Sequence, residues 1–245
     1  MEIKPFFSDD YFTVDSKFMK FFIVTISYLR RLILILNVLF FKRKPPIILI
    51  EYEIFPFIPA WFEYLLKLRQ IPYIVDYDDA IFHKYDSHKN SVIKLVLKNK
   101  IAKVMQYADT VITGNNYLFE YAKKWNDKVI IFPTVVMLDK YDEAMKQFVK
   151  KESDNFIIGW IGSKSTSKYV LEIKPVIKEF CTKHRDVQFN FIGFEHGLIS
   201  DEVLSDYNIH IIPWSEETEI KEIMKFDIGI MPLTDDPWSR GKCGF

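Results

Sequence analysis

The sequence predicts an α/β fold of the doubly wound kind, in which parallel strands are covered by helices on both faces. Short apolar runs rich in β-branched and aromatic residues alternate with segments of helical periodicity along most of the 245 residues. The runs are apolar throughout rather than every second residue, as in strands buried on both faces. The glycines are also uneven. Of 8 in the chain, only Gly114 precedes residue 155, and the others are Gly159, Gly162, Gly193, Gly197, Gly229, Gly241 and Gly244.

The first element is Phe18–Phe41, strongly apolar but with Arg30 and Arg31 near its middle. Each Arg costs roughly 2.5–3.5 kcal/mol in a bilayer against about −0.3 to −0.6 for each large apolar residue, so the sums nearly cancel. Three readings follow: a helix packed in the protein core, a helix lying on a membrane surface, and a span. Lys17, Lys20, Lys42, Arg43 and Lys44 flank the segment and would be drawn to anionic lipid.

Strands are predicted at Ile47–Glu51, Tyr73–Asp76, Thr110–Thr113 and Val129–Phe132. Between and after them lie helical patterns at Ala60–Arg69, Ser91–Tyr107 and Asn116–Trp125. Pro133–Asn155 interrupts the alternation and ends in the charged run Lys150, Lys151, Glu152, Ser153, Asp154. This places one domain at residues 1–150 and a second at 151–245. The second repeats the pattern, with strands at Phe156–Ile161, Gln188–Ile192, Ile209–Ile212 and Ile228–Met231 and helices at Ser167–Lys183 and Glu217–Lys225.

Lys plus Arg equals Asp plus Glu at 33 each. A net charge of zero gives no global attraction for nucleic acid. Cys181 and Cys243 form no metal or disulfide pattern and suit a reducing compartment. Met1–Asp10 is polar and acidic, unlike a signal peptide. The expected location is cytoplasmic, with peripheral contact at the inner face of an anionic membrane under the surface-helix reading.

In an open parallel sheet, ligands bind beyond the carboxyl ends of the strands. Those positions are Glu51–Glu53, Asp76–His83, Thr113–Asn116, Gly162–Thr166, Gly193–His196, Trp214–Glu217 and Thr234–Lys242. Gly162, Ser163 and Thr166 sit between a strand and a helix, where backbone N–H groups face an anion. The same residues also make an ordinary capped turn. Asp76, Asp78 and Asp79, with His83 beyond them, read as metal ligands, as acid/base and acceptor-binding groups, or as a solvated loop. Trp214 suits stacking on a base or packing at the sheet rim. Arg240 and Lys242 suit a diphosphate. His88, His184 and His210 lack ligand spacing.

Tyr77–His83 (YDDAIFH) resembles a first-domain signature of one subset of family 4 glycosyltransferases. Ala108–Asn126, Phe132–Thr134, Ile158–Tyr169 (IGWIGSKSTSKY) and Phe226–Phe245 (FDIGIMPLTDDPWSRGKCGF) are similar, in order, to later segments of that family. The resemblance implies the GT-B fold, two Rossmann-like domains about a cleft, and retaining transfer from a nucleotide-diphosphate sugar. The acceptor would be a glycan or lipid-linked glycan in surface polysaccharide assembly, and no metal cofactor is implied. Asp78, Asp79 and His83 would act on the acceptor side. Gly162, Ser163 and Thr166 would lie near the diphosphate, Trp214 near the base, and Arg240 and Lys242 near the donor phosphates or sugar.

The family opens with a strand and glycine loop before anything like Ile3–Phe12, and continues beyond a position like Phe245. On that comparison both domains are expected to be incomplete. Two alternatives stay open. One is a metal-dependent, single-domain (GT-A) transferase holding Mn²⁺ or Mg²⁺ on Asp76, Asp78 and Asp79. The other is a catalytically inactive truncated remnant or a nucleotide-binding module.

Overall fold

The computed structural model describes residues 4–7, 11, 14, 16–41, 45–136, 138–147 and 155–243. They fall into two compact units, Met1–Thr134 with Asp236–Phe245, and Val135–Asp235. The sequence had placed residues after 236 with the second domain. Here they pack with the first. Ile3, Phe12, Lys42, Arg43, Lys44 and the charged run Lys150–Asp154 lie outside the described residues.

The first unit holds a parallel sheet of β1 (Ile48–Glu51), β2 (Tyr73–Tyr77), β3 (Thr110–Thr113) and β4 (Val129–Ile131), side by side in chain order. Register places Ile50, Val75, Val111 and Val129 in one row across the sheet, and all four are buried. β-branched side chains suit such a row because they pack on a pleated surface with little rotamer freedom to lose. The helices are Lys17–Leu36, which widens into a π turn through Phe41, then Trp61–Leu68, His83–Asp86, Ser91–Leu97, Lys100–Tyr107, Asn116–Ala122 and Pro237–Arg240.

The predicted helix Ser91–Tyr107 is two helices. Asn90 caps the first by accepting from the N–H groups of Val92 and Ile93, and the chain bends at Lys98–Asn99. The second then starts at Lys100, whose side chain is buried. Its ammonium forms an ion pair with Glu53 and donates to the Phe55 carbonyl. Glu53 also accepts from the Tyr85 hydroxyl at 2.7 and 2.8 Å, and that oxygen accepts from the Phe57 N–H. Glu63, equally buried, accepts from the Ile54 N–H at 2.9 Å. Tyr73 and Tyr77, both fully buried, donate to the carbonyls of Val104 and Tyr52. Among the described residues, no buried side-chain nitrogen or oxygen lacks a partner.

Burial pushes the Lys100 ammonium below its ordinary value, and Glu53 opposes that. Burial raises the Glu63 carboxyl, with the Ile54 hydrogen bond opposing.

The second unit holds a parallel sheet in the order β7 (Ile209–Ile212), β6 (Val187–Ile192), β5 (Phe156–Ile161), β8 (Ile228–Gly229). Its helices are Leu138–Gln147, Ser167–Glu172, Lys174–Lys183, Asp201–Asp206 and Glu219–Ile223. The first of these occupies part of the stretch that the sequence showed only as an interruption. The predicted helix Ser167–Lys183 divides at Ile173, because Pro175 has no N–H to continue the ladder and fits only a helix start. Trp160, Phe191 and Phe194 pack edge to face and tilted at the centre of this core. Gly159 makes room there for the Phe226 ring, which a Cβ would meet at 2.1 Å.

Two outcomes are expected in urea unfolding. Lys100→Met leaves the Glu53 charge buried and costs about 3–5 kcal/mol, whereas Glu53→Leu with Lys100→Met recovers most of that loss. A single variant as stable as the parent would show that the pair is not dry. Glu63→Gln keeps the Ile54 bond and removes the charge. A raised folded pKa contributes stability that is present below the ordinary value of 4.5 and is lost as pH rises through the folded value. The melting temperature of Glu63→Gln relative to the parent should therefore climb as pH is raised from 4 towards neutrality.

Candidate functional site

In the first unit the chemistry collects at the carboxyl ends of β2 and β3. Side chains alternate along β2, so Tyr73, Val75 and Tyr77 are buried while Ile74 and Asp76 are only partly covered. Beyond the strand, Asp78 accepts from the Tyr52 hydroxyl and Asp79 pairs with Lys242 at 3.0 Å. Burial, and after it the neighbouring Asp79, lifts the Asp78 carboxyl above the ordinary aspartate range, with Lys242 opposing. Burial also raises Asp76. Asp78 and Asp79 thus have separate partners. Among the described residues, no three His, Cys, Asp or Glu side chains are grouped so as to hold a metal ion.

His83 begins its helix with both ring nitrogens engaged. Nδ1 lies 3.0 Å from Asp86 Oδ1, and Nε2 lies 2.9 Å from the Tyr117 hydroxyl. A carboxylate only accepts, so Nδ1 carries the proton. In the neutral ring Nε2 is then an acceptor towards the hydroxyl. Phe82 stacks on Tyr121 with ring centroids 3.7 Å apart and planes 3° apart, which fixes the backbone from which His83 projects.

The segment Gly241–Cys243 closes one side. Asn115 caps the helix Asn116–Ala122 through Oδ1, and its amide donates to the carbonyls of Gly241 and Lys242 at 3.2 and 3.1 Å. A Cβ on Gly241 would stand 2.3 Å from that of Ala80, and one on Gly114 would stand 2.2 Å from Cys243 Sγ. Burial and then Asp78, Asp79 and Asp76 raise the Cys243 thiol above its ordinary range.

In the second unit, the ends of β5, β6 and β7 come together at Gly162 and Gly193, where a Cβ on Gly162 would meet the Trp160 ring at 2.3 Å. The Gly162 N–H bonds to the Ile192 carbonyl at 3.1 Å and the Gly193 N–H to that of Ile212 at 2.9 Å. Gly193 has φ +75°, and a Cβ on it would meet the Gly162 oxygen at 2.2 Å and the Trp214 Cβ at 3.4 Å. The half-exposed Trp214 indole donates to Glu219. Ser163 and Thr166 form a reciprocal capping box, with the Ser163 N–H donating to Thr166 Oγ1 at 2.9 Å. Ser167 Oγ accepts from the Glu195 N–H, joining this turn to the loop after β6.

The structure therefore gathers Asp78, Asp79, His83 and Lys242 in the first unit, to which Arg240 also belongs. Gly162, Ser163, Thr166 and Trp214 belong to the second. The sequence grouped Arg240 and Lys242 with the latter. Sequence reasoning missed Tyr52, Asp86 and Tyr117. The three-residue spacing of His83 and Asp86 was a usable signal, because such pairs share a helix face. Tyr52 arrives from the end of β1 and Tyr117 from the helix Asn116–Ala122, and neither left one.

Gly193→Ala should destabilise the protein by more than about 1–2 kcal/mol, since a left-handed backbone and a collision coincide. Gly197→Ala, with open space around it, should stay within about 0.5 kcal/mol of the parent. Denaturant unfolding of the two variants side by side checks this, and equal stabilities would refute the close approach at Gly193.

No protein-family model matches the chain, and no curated protein sequence is similar to it. Solved structures are similar. A UDP-forming α,α-trehalose-phosphate synthase of Burkholderia xenovorans aligns with a TM-score of 0.59 at 12% identity, over 86% of this chain and 58% of that one. The α,α-trehalose 6-phosphate synthase of Burkholderia multivorans gives 0.58 at 13%, over 94% and 60%. A UDP-forming synthase of Burkholderia vietnamiensis gives 0.57 at 11%, over 85% and 56%. The chain thus spans less than two thirds of the length of these proteins. At such identity the likeness is one of fold: two Rossmann-like α/β units of the GT-B type.

Proposed function

We propose that the protein is a glycosyltransferase that moves a sugar from a nucleotide-diphosphate sugar to a hydroxyl of a glycan or lipid-linked acceptor, with retention, in surface polysaccharide assembly. The observation that carries this reading is the half-exposed Trp214 beside the capped turn Ser163–Thr166 at the strand ends of the second unit, on a fold shared with UDP-forming synthases. A Cβ on Gly162 would meet the Trp160 ring at 2.3 Å and one on Gly193 the Gly162 oxygen at 2.2 Å, so the two glycines bring the strand ends together beside Trp214. Trp214 offers a ring for the base to stack on. The resemblance at Tyr77–His83 supports an acceptor role for the first unit.

In the transfer, the bond from the anomeric carbon to the diphosphate oxygen breaks and a bond to the acceptor oxygen forms on the same face. The acceptor proton must leave. His83, with Nδ1–H held by Asp86, is the base proposed to take it at Nε2, where the acceptor hydroxyl would displace that of Tyr117. No metal is required on this reading.

Titration with UDP, GDP and ADP, followed by isothermal calorimetry, tests the donor half. One of them should bind, and Trp214→Ala should weaken it about tenfold or more, since stacking of a base on an aromatic ring is worth on the order of 1–3 kcal/mol. His83→Ala should leave that affinity unchanged and lower kcat about 10²-fold or more, with turnover persisting in excess chelator. Nucleotide binding without turnover of any donor sugar would favour the non-catalytic module. Turnover abolished by chelator would favour the metal-dependent reading.

A further inference from the structure

The helix from Lys17 to Phe41 presents two apolar faces, and the proposed transfer uses neither. On the inner face Ser27, Ile35 and Leu39 are buried, and Tyr28, Leu32 and Val38 pack against the core of the first unit. The Tyr28 hydroxyl donates to the Pro56 carbonyl at 2.7 Å. On the outer face Phe18, Phe22, Ile26, Leu29, Ile33 and Phe40 are all exposed, Phe18 by 79% and Ile33 by 62%. Their spacing of mostly three and four residues aligns them in one stripe. At 1.5 Å per residue the stripe is roughly 35 Å long. Monomeric soluble proteins rarely leave so continuous an apolar surface in water.

Charge identifies what covers it. The helix carries Lys17, Lys20, Arg30 and Arg31, and no Asp or Glu occurs between Lys17 and Phe41. A second copy of the stripe offers these cations no counter-charge, whereas a bilayer containing anionic lipid offers both acyl chains and phosphates. The helix is long and apolar enough to cross a membrane, but Ile35 and Leu39 on its inner face are buried in the core cluster of the first unit. Arg30 is held by the carbonyls of Pro5 and Phe6, and Arg31 by that of Lys4. Crossing would strip Ile35 and Leu39 from the core and place two guanidinium groups in hydrocarbon.

We propose that this helix docks the first unit in the plane of an anionic bilayer, with the outer stripe among the acyl chains and its cations at the headgroups. The proposal stands independently of glycosyl transfer, because its readout is binding to vesicles.

Flotation with vesicles of phosphatidylcholine, alone or mixed with phosphatidylserine, tests it. The parent should float with the mixed vesicles, lose binding as salt is raised, and be released by an alkaline carbonate wash. Ile26→Glu with Ile33→Glu changes exposed positions, so thermal melting should hold while flotation is lost. Lys17→Glu with Lys20→Glu should weaken partitioning into mixed vesicles about tenfold or more, at roughly 1 kcal/mol per cation near the surface, and spare the melt. A parent that stays in solution with both vesicle types overturns the proposal. So does a dimer dispersed by the Ile26 and Ile33 changes without vesicle binding, which would make a second copy the occupant. Retention through the carbonate wash would make the helix a span and overturn the in-plane arrangement.

Discussion

The first unit is organised around one buried ion pair. Lys100 and Glu53 sit almost out of reach of solvent, and burial alone disfavours both charges. They are held there because each also satisfies other groups. The ammonium donates to the Phe55 carbonyl, and the carboxylate accepts from Tyr85. Through these bonds the loop after β1, the helix His83–Asp86 and the start of the helix Lys100–Tyr107 become one rigid assembly. The bend at Lys98–Asn99 is the local consequence, since a straight helix through that point would not begin afresh at Lys100. Hydrogen bonds to charged groups in a dry interior are strong and directional, so this network sets positions more than it adds stability.

The site residues inherit that rigidity. Tyr85 lies in the same short helix as His83 and Asp86, so the ion pair that holds Tyr85 also holds the imidazole's neighbours. The stacked Phe82 and Tyr121 fix the same helix from the other side. The carboxylates of Asp78 and Asp79, which would repel if both faced solvent together, are separated by their partners Tyr52 and Lys242. The repulsion is not removed, since Asp79 still lifts the Asp78 carboxyl.

The second unit solves a different problem. Its polar groups at the strand ends are mostly satisfied locally, by the Ser163–Thr166 capping box and the Ser167 bridge to Glu195. What distinguishes the place is the missing bulk at Gly162 and Gly193. Here φ +75° and the contact with the Gly162 oxygen leave no room for any other residue at 193.

The strands were legible in the sequence almost residue by residue. Thr110–Thr113, Phe156–Ile161 and Ile209–Ile212 have the predicted bounds, because a short run of β-branched and aromatic residues favours a strand. Helix positions were legible, but their breaks at Lys98–Asn99 and Ile173 were not. Periodicity continues across a bend, and only packing, or a proline whose effect depends on its neighbours, decides where the chain turns. The residue types at the strand ends, including Asp78, Asp79, His83, Gly162 and Trp214, were visible because the sheet dictates where loops can meet a ligand. Their partners were not. Tyr52, Asp86 and Tyr117 lie between 3 and 34 residues from the groups they bind, and Lys242, visible as a residue, was not visible as the partner of Asp79. Most of these pairings are set by register and docking rather than by spacing. The apolar segment Phe18–Phe41 shows the same division. Composition fixed that it is a helix with too few polar groups for water on every side, and only its packing on the sheet showed which face is inside and which is left to a partner.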